Sequence, residues 1–143
     1  VSGRSGSGWW PAGAPVHVCE GISLADGEPL ALFRSAFPAV PLPDLPVHLR
    51  AEGSITRALS LSGVADYVRA STRITAVPAD PVQAGHLRVR SGAPLLRTEA
   101  VNRALDGRAV EYGLTWFAAE RVALTLGDPG PADAAAGPPH VPS

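Results

Sequence analysis

The sequence predicts an α+β domain, in which two related hairpin halves build a mostly antiparallel sheet with short helices beside it. Two runs of alternating apolar and polar residues each break at an Asp-Gly pair, Asp26-Gly27 and Asp106-Gly107. Asp-Gly between such runs is typical of a hairpin, because glycine accepts the positive φ that tight turns need. The two pairs lie 80 residues apart, as do Phe37 and Phe117. The second hairpin therefore repeats the first.

Length and composition restrict the classes of function. The chain has 143 residues, 45% of them hydrophobic, which suits one globular domain with a core. Its net charge of −1 gives no overall positive field for nucleic acid or an anionic membrane. The single Cys19 excludes an internal disulfide and a multi-cysteine metal site. No run approaches the roughly 18 apolar residues of a membrane span, and we expect a cytoplasmic protein. We also expect no cofactor.

The two ends of the chain differ from its middle in composition. Residues 1–12 are rich in Gly and Ser and are expected to be a linker or a disordered N-terminal end. Residues 128–143 are rich in Pro, Gly and Ala and are expected to be a disordered tail. The domain itself is expected over residues 13–127. Trp9 and Trp10 either pack one ring on this domain or contact another domain or subunit.

Each element is predicted from its local pattern. Four prolines between residues 38 and 46 predict an irregular loop, because proline donates no backbone hydrogen bond. Ser54 opens a short helix that Gly63 stops, and Asp80-Pro81 opens another that ends at Leu87. Strands are expected over residues 16–24, 29–37, 64–77, in both arms of the second hairpin, and over 122–126.

The strand predicted over residues 64–77 has a period of two. One of its faces carries Tyr67, Arg69, Ser71, Arg73 and Thr75, and the other carries Val68, Ala70, Ile74 and Ala76. Arginine presents a planar fork that matches phosphoryl or carboxylate oxygens. The arginines of this face either bind an anion or form surface salt bridges.

Enzyme motifs are nearly absent from the sequence. It contains no glycine-rich phosphate loop, nucleophile elbow or His-Glu metal pattern. The four histidines are scattered without ligand spacing, and Asp26 and Asp106 both belong to turns. Anion binding is better supported, because Ser54, Thr56 and Arg57 stand at a helix start, where backbone N–H groups and the helix dipole favour negative charge. The alternative is an ordinary serine cap beside a solvated arginine.

The last hairpin strand places Glu111, Thr115 and Phe117 on one face. Glu111 either accepts an amine or hydroxyl of a ligand or holds one of the arginines. Tyr112, Leu114 and Trp116 take the other face and are expected to be core.

Three stretches resemble the UTRA domain, the effector-binding half of GntR-type transcription regulators of the HutC subfamily. They are ISLADGEPLALFRSAF (22–37), GSITRALSLSGVADYVRASTRIT (53–75) and GAPLLRTEAVNRALDGRAVEYGLTWFAAERV (92–122). The run from Asp66 to Arg69 and the run from Trp116 to Ala118 look most like the phosphonate-metabolism branch. The resemblance implies a chorismate-lyase-like fold, a homodimer and a small-molecule pocket without catalysis. By position, Ser54 and Thr56 would contact an anion, and Glu111 and Phe117 would close the pocket.

The chain departs from this family at two places. Sugar-phosphate-binding members carry an Arg-x-Arg pair before the first Asp-Gly turn, where this chain has Glu20 to Ser23. The charge is therefore expected from Arg34, Arg69 or Arg73. The family's N-terminal winged helix-turn-helix is missing, so we expect a fragment or a truncated gene, and DNA binding cannot be assigned to these residues.

Three functions follow as hypotheses. The first is a sensor module that binds a small anionic effector, similar to a phosphonate, phosphate or sugar phosphate, and modulates DNA binding by a domain outside this chain. The second is an enzyme with the lyase fold, acting on a small carboxylate, for which Glu111 is the one acid-base candidate. The third is a dimerisation module without a ligand.

Overall fold

The computed structural model of the protein describes residues 2–4 and 10–127. Within these residues one six-stranded sheet has the order β1-β2-β3-β6-β5-β4, and each pair of neighbouring strands is antiparallel. The strands are β1 (Ser2–Arg4), β2 (Pro15–Ala25), β3 (Glu28–Pro38), β4 (Tyr67–Pro78), β5 (Pro94–Ala104) and β6 (Ala109–Ala118). The helices are α1 (Leu45–Glu52), α2 (Ile55–Leu61) and α3 (Pro81–Leu87). The predicted α+β class is confirmed.

The two Asp-Gly hairpins are β2–β3 and β5–β6, and they meet in the middle of the sheet. β3 pairs with β6, so the second strands of the two hairpins lie side by side. Arg34 pairs there with Leu114, the residue 80 positions later. β3 and β6 occupy equivalent places in the two hairpins, and they pair antiparallel with equivalent residues opposite each other. An approximate twofold axis at this pair therefore relates the two hairpins.

Helices and loops cover the two sides of the sheet unequally. We call the side that carries Glu111 the Glu111 face and the side that carries Tyr112 the Tyr112 face. The pairing register assigns the remaining strand residues to one face or the other. α1 and α2 cover one end of the Glu111 face, where Phe37, Leu45 and Leu59 are fully buried together. The chain after β6 covers the other end of this face through Val122.

The Tyr112 face is covered near one end by α3. Leu87 of this helix is fully buried against Leu95, with Leu32 and Trp116 packed beside it. No helix among the described residues has the length and apolar character that crossing a bilayer requires.

The helix starts at Ser54 and Asp80 are confirmed. The Ser54 hydroxyl accepts a hydrogen bond from the backbone N–H of Arg57 at 3.3 Å. Asp80 accepts from the backbone N–H of Gln83 at 2.7 Å, and the Gln83 side chain accepts from the backbone of Asp80. This reciprocal pair is a capping box, which satisfies two backbone donors that the first helical turn leaves free.

Two expectations about irregular and regular segments are wrong. α1 begins at Leu45, inside the proline-rich stretch expected to be a loop, because Pro46 falls in the first turn, where its missing N–H has no helical partner to lose. Residues 122–126 form no strand, although Val122 is buried against Phe117. Ser2–Arg4 form β1 within the expected linker, while Trp9 and residues 128–143 lie outside the described residues.

The predicted single polar face of β4 is also wrong. The register passes from Arg69 opposite Asn102 to Ser71 opposite Val101, so Ala70 is one extra residue in the strand. Such a β-bulge reverses the alternation of side chains beyond it. Arg69 consequently lies on the Glu111 face, whereas Arg73 pairs with Glu99 on the Tyr112 face.

Candidate functional site

Buried polar side chains are gathered in the middle of the Glu111 face. In the described part of the chain, the buried polar and charged residues are Ser35, Thr98, Asn102, Glu111 and Thr115. Asn102 pairs with Glu111 and Thr98 with Thr115 across β5 and β6, while Ser35 pairs with Gly113 of β6. All five therefore share one face, and we call them the polar floor. Polar groups are buried at a cost unless they are hydrogen-bonded, so such a cluster needs internal partners.

A chain of hydrogen bonds links this floor to the arginine at its edge. The Asn102 side chain accepts from Nε of Arg69 at 2.9 Å and donates from Nδ2 to Oε1 of Glu111 at 2.8 Å. Nη1 of Arg69 also donates to Thr72 at 3.4 Å. Asn102 thus holds a cation and a carboxylate in fixed positions, with Arg69 exposed and Glu111 only 3% exposed.

Burial raises the pKa of Glu111 above its ordinary value. Hydrogen bonds from Ser35 and Asn102 and the positive charge of Arg69 act in the opposite direction, but burial is the larger cause. The carboxyl group is therefore easier to protonate than a carboxyl in water. It can accept a hydrogen bond from a ligand as a carboxylate or donate one as an acid.

The first turn of α2 is tied to the same face of the sheet. The hydroxyl groups of Thr56 and Tyr67 are hydrogen-bonded at 2.9 Å, and Tyr67 begins β4 two residues before Arg69 on the same face. Arg57 is exposed and lies 3.9 Å from Glu52. The structure therefore brings the start of α2, including Ser54 and Thr56, to the end of the Glu111 face where Arg69 lies.

Comparisons with known proteins agree with this architecture. The model of the UTRA domain family matches residues 10–123, which is most of the chain. The chain belongs to the UTRA domain family. A curated HTH-type transcriptional regulator of Rhizobium meliloti, itself uncharacterised, is 38% identical over 116 residues, which are 81% of this chain and 48% of that protein. The chain thus spans about half the length of the curated relative that it matches.

Solved structures show the same fold at lower identity. PhnF from Mycobacterium smegmatis superimposes with a TM-score of 0.81 and 21% identity, covering 90% of this chain and 59% of PhnF. The ligand-binding domain of a GntR-family regulator from Bordetella bronchiseptica gives a TM-score of 0.78 and 20% identity, covering 89% of this chain and 84% of that domain. The chorismate-lyase-like α+β fold expected for a UTRA domain is thereby confirmed.

The remaining candidates of this UTRA domain lie apart from the polar floor. Phe117 shares the Glu111 face, as expected, but it is buried with Ala31 and Val122 in an apolar cluster. Arg34 lies on the Tyr112 face, because its neighbour Ser35 occupies the Glu111 face. Arg73 lies on the Tyr112 face because of the β4 bulge. Neither Arg34 nor Arg73 can act with Arg69 on one ligand, since the sheet separates them.

The Tyr112 face has its own polar contacts, which are of a different kind. Arg34 pairs with Glu20 at 3.3 Å, with both side chains more than half exposed. Tyr112 donates a hydrogen bond from its hydroxyl to Glu99. Partial burial, followed by the hydrogen bond to Glu99 and its charge, raises the pKa of Tyr112 to about 12.

Sequence reasoning missed most of the polar floor of the UTRA domain. Ser35, Thr98 and Asn102 were not singled out, although Asn102 is the residue that connects Arg69 to Glu111. A usable indication was present in β5, where Thr98 and Asn102 take alternate positions with Leu96 and Ala100 on one face of the strand. Uncharged polar residues that alternate with apolar ones on the same face of a strand predict a hydrogen-bonded, partly buried face.

Proposed function

We propose that this UTRA domain is the effector-binding and dimerisation domain of a GntR-family regulator, of the HutC subfamily and most similar to its phosphonate-metabolism branch. The effector is a small phosphonate-, phosphate- or sugar-phosphate-like anion. One observation carries the proposal: Asn102 holds the Arg69 guanidinium at the edge of a buried polar floor. The relative's HTH-type name and the Bordetella domain's description as ligand-binding support it.

In this proposal a cation and a carboxyl group of the site bind different parts of the effector. Arg69 binds the phosphoryl or phosphonyl oxygens, because guanidinium hydrogen bonds to such oxygens are charge-assisted. Ser54, Thr56 and Arg57 at the start of α2 add hydroxyl and cationic contacts. Glu111 accepts a hydrogen bond from an amine or hydroxyl group of the same effector. An effector with both an anionic end and a donor end is therefore favoured over a bare anion.

Binding without turnover is favoured over the lyase-type enzyme. The polar floor includes a single carboxyl group, Glu111, and hydrogen bonds from Asn102 and Ser35 already engage it. Catalysis of the alternative reaction would need a dedicated acid and base beside the reacting atoms.

The exposed edge of β4 supports a homodimer. β4 is a twelve-residue strand at one end of the sheet order and is paired with β5 on one side. Most of its residues are exposed, including Val68 at 53% and Ile74 at 37%. A long edge strand with apolar side chains is a template for pairing with another chain. A second copy pairing along β4 would place Arg69 close to the interface, so that an effector could shift the arrangement of attached DNA-binding domains.

The effector proposal is tested by titration calorimetry with 2-aminoethylphosphonate, methylphosphonate and inorganic phosphate. We expect Arg69→Ala to weaken binding of each anion about tenfold or more, as loss of a charge-assisted contact does. Arg73→Ala is the matched control, because it removes an exposed arginine from the opposite face of the same strand. Glu111→Gln should weaken 2-aminoethylphosphonate more than methylphosphonate. Equal affinities in Arg69→Ala and Arg73→Ala would refute the site.

The dimer proposal is tested by sedimentation velocity. The double variant Val68→Asp/Ile74→Asp places a charge on each face of the β4 edge, and we expect it to be monomeric at concentrations where the parent chain is dimeric. Val82→Asp, which changes an exposed valine on α3, is the control and should sediment like the parent chain. A parent chain that is monomeric, or a double variant that still dimerises, would show that β4 is not the interface.

A further inference from the structure

A cleft lies at the opposite end of α2 from Ser54. It has a volume of about 420 Å³, and four segments build it: residues 10–15, 38–42, 62–64 and 103–110. None of Ser54, Arg69 or Glu111 lines it. The volume falls within the range of roughly 300–1,000 Å³ that small-molecule sites occupy.

The walls of the cleft are mostly apolar. Leu42, Val64 and Val110 are buried at its base as part of the core beneath α1 and α2. Trp10 forms a side wall, and its indole Nε1 donates to the backbone carbonyl of Ala109 at 3.2 Å. This hydrogen bond fixes the ring at the start of β6. A fixed indole offers a flat surface on which an aromatic ring can stack.

The charged residues that line the cleft are both arginines, Arg103 and Arg108. Arg103 donates to the carbonyl oxygen of Gly107 at 2.8 Å. Arg108 is 63% exposed and pairs with Asp106 at 2.6 Å. Both charged side chains on the lining of the cleft are thus cationic, which favours an anionic group on a bound molecule.

We propose that this cleft is a second small-molecule site, for a compact aromatic compound that carries one acidic group. The ring lies between Trp10 and the apolar base, and the acidic group lies at the rim near Arg103 and Arg108. The site and the proposed effector site share α2, whose two ends they occupy, but they share no lining side chain named above.

The site is tested on the 143-residue chain with two fluorescent probes of similar shape. The first is 1-anilinonaphthalene-8-sulfonate, which is aromatic and anionic, and the second is N-phenyl-1-naphthylamine, which lacks the sulfonate. We expect saturable binding of the sulfonate at one site per chain. Trp10→Ala should weaken it about tenfold, as loss of an aromatic wall does. Val40→Trp should also weaken sulfonate binding, because the larger side chain fills the mouth of the cleft. Val40 is 76% exposed, so this substitution leaves the core undisturbed.

Charge recognition is tested with Arg108→Ala. We expect this variant to weaken the sulfonate about threefold, a modest loss because the group is exposed, and to leave the neutral probe unchanged. Arg90→Ala is the matched control. Nη1 of Arg90 lies 3.0 Å from Oε1 of Glu120 in a similarly exposed pair, and neither residue lines the cleft. Arg69→Ala should also leave both probes unchanged, which separates this site from the effector site.

Two outcomes would overturn the inference. Sulfonate affinity that is unchanged in both Trp10→Ala and Val40→Trp would show that no site lies in the cleft. Sulfonate affinity that is the same in Arg108→Ala as in the parent chain would remove the assignment to acidic compounds.

Discussion

The two faces of the sheet both carry ionisable side chains, but they hold them in different surroundings. On the Glu111 face, Glu111 is buried and hydrogen-bonded through Asn102 to Arg69. On the Tyr112 face, Glu20 and Arg34 form a pair with side chains 64% and 58% exposed. Water screens the exposed pair, whereas the buried group depends on its protein partners. The same residue types should therefore contribute very differently to stability.

This difference also decides which arginine can serve a ligand on the Glu111 face. Arg69 and Arg73 are four residues apart, yet the extra residue at Ala70 places them on opposite faces. Their partners on β5 differ as well, since Arg69 lies opposite the amide of Asn102 and Arg73 lies opposite the carboxylate of Glu99.

The largest expected effect is on the hydrogen bonds of the Glu111 face. Asn102→Ala removes the donor to Glu111 and leaves its buried carboxylate without that partner. We expect a loss of about 2–3 kcal/mol in the free energy of unfolding, measured by urea denaturation. The matched change on the Tyr112 face is Glu20→Ala, which should cost less than about 0.5 kcal/mol. Similar losses of unfolding free energy in both variants would show that the two faces do not differ in how much their polar contacts stabilise the protein.

The next prediction concerns pH. Burial raises the pKa of Glu111, so the folded protein retains a proton that the unfolded chain releases above its ordinary value of 4.5. Its contribution to stability is therefore most favourable below that value and declines as the pH rises toward the raised pKa of the folded state. Glu111→Gln removes this titration while keeping the shape of the side chain.

We expect the melting temperature of Glu111→Gln to rise relative to that of the parent chain as the pH increases above about 4.5, and the difference then to level off. A difference between Glu111→Gln and the parent chain that stays constant with pH would mean that the carboxyl group is well solvated in the folded protein.

A smaller effect is expected for the helix that covers the Glu111 face. Ser54→Ala removes the cap of α2 and should lower the free energy of unfolding by about 1 kcal/mol. Ser60→Ala, inside the same helix, is the control and should be neutral or slightly stabilising, because alanine has the higher helix propensity. Equal effects of the two substitutions in thermal unfolding would indicate that the Ser54 hydroxyl does not act as a cap.

The smallest effect is expected on the Tyr112 face itself. A double-mutant cycle of Glu20→Ala and Arg34→Ala should give a coupling energy of about 0–0.5 kcal/mol, because both side chains are exposed. The coupling should also shrink in added salt. A coupling above about 1 kcal/mol would show that this face is covered in solution, as a partner subunit would cover it.

The parts of the fold that rest on local chemistry could be predicted from the sequence. Asp-Gly turns, the serine cap of α2 and the Asp-Pro start of α3 each satisfy backbone groups within a few residues, so their patterns are readable in the chain. Glu111 and Phe117 were assigned to one face for the same reason, since alternation in β6 is regular from Glu111 to the end of the strand.

Which side chains meet depends on the pairing of strands that are distant in sequence. The bulge at Ala70 depends on how β4 pairs with β5, and no local pattern in β4 indicates it. Asn102 acquires its role because two other strands bring Arg69 and Glu111 to either side of it. The burial that raises the pKa of Glu111, and the cleft beneath Trp10, likewise arise from segments far apart in sequence. Pairing and burial are properties of the assembled sheet, and this is why the candidate site was only partly predictable.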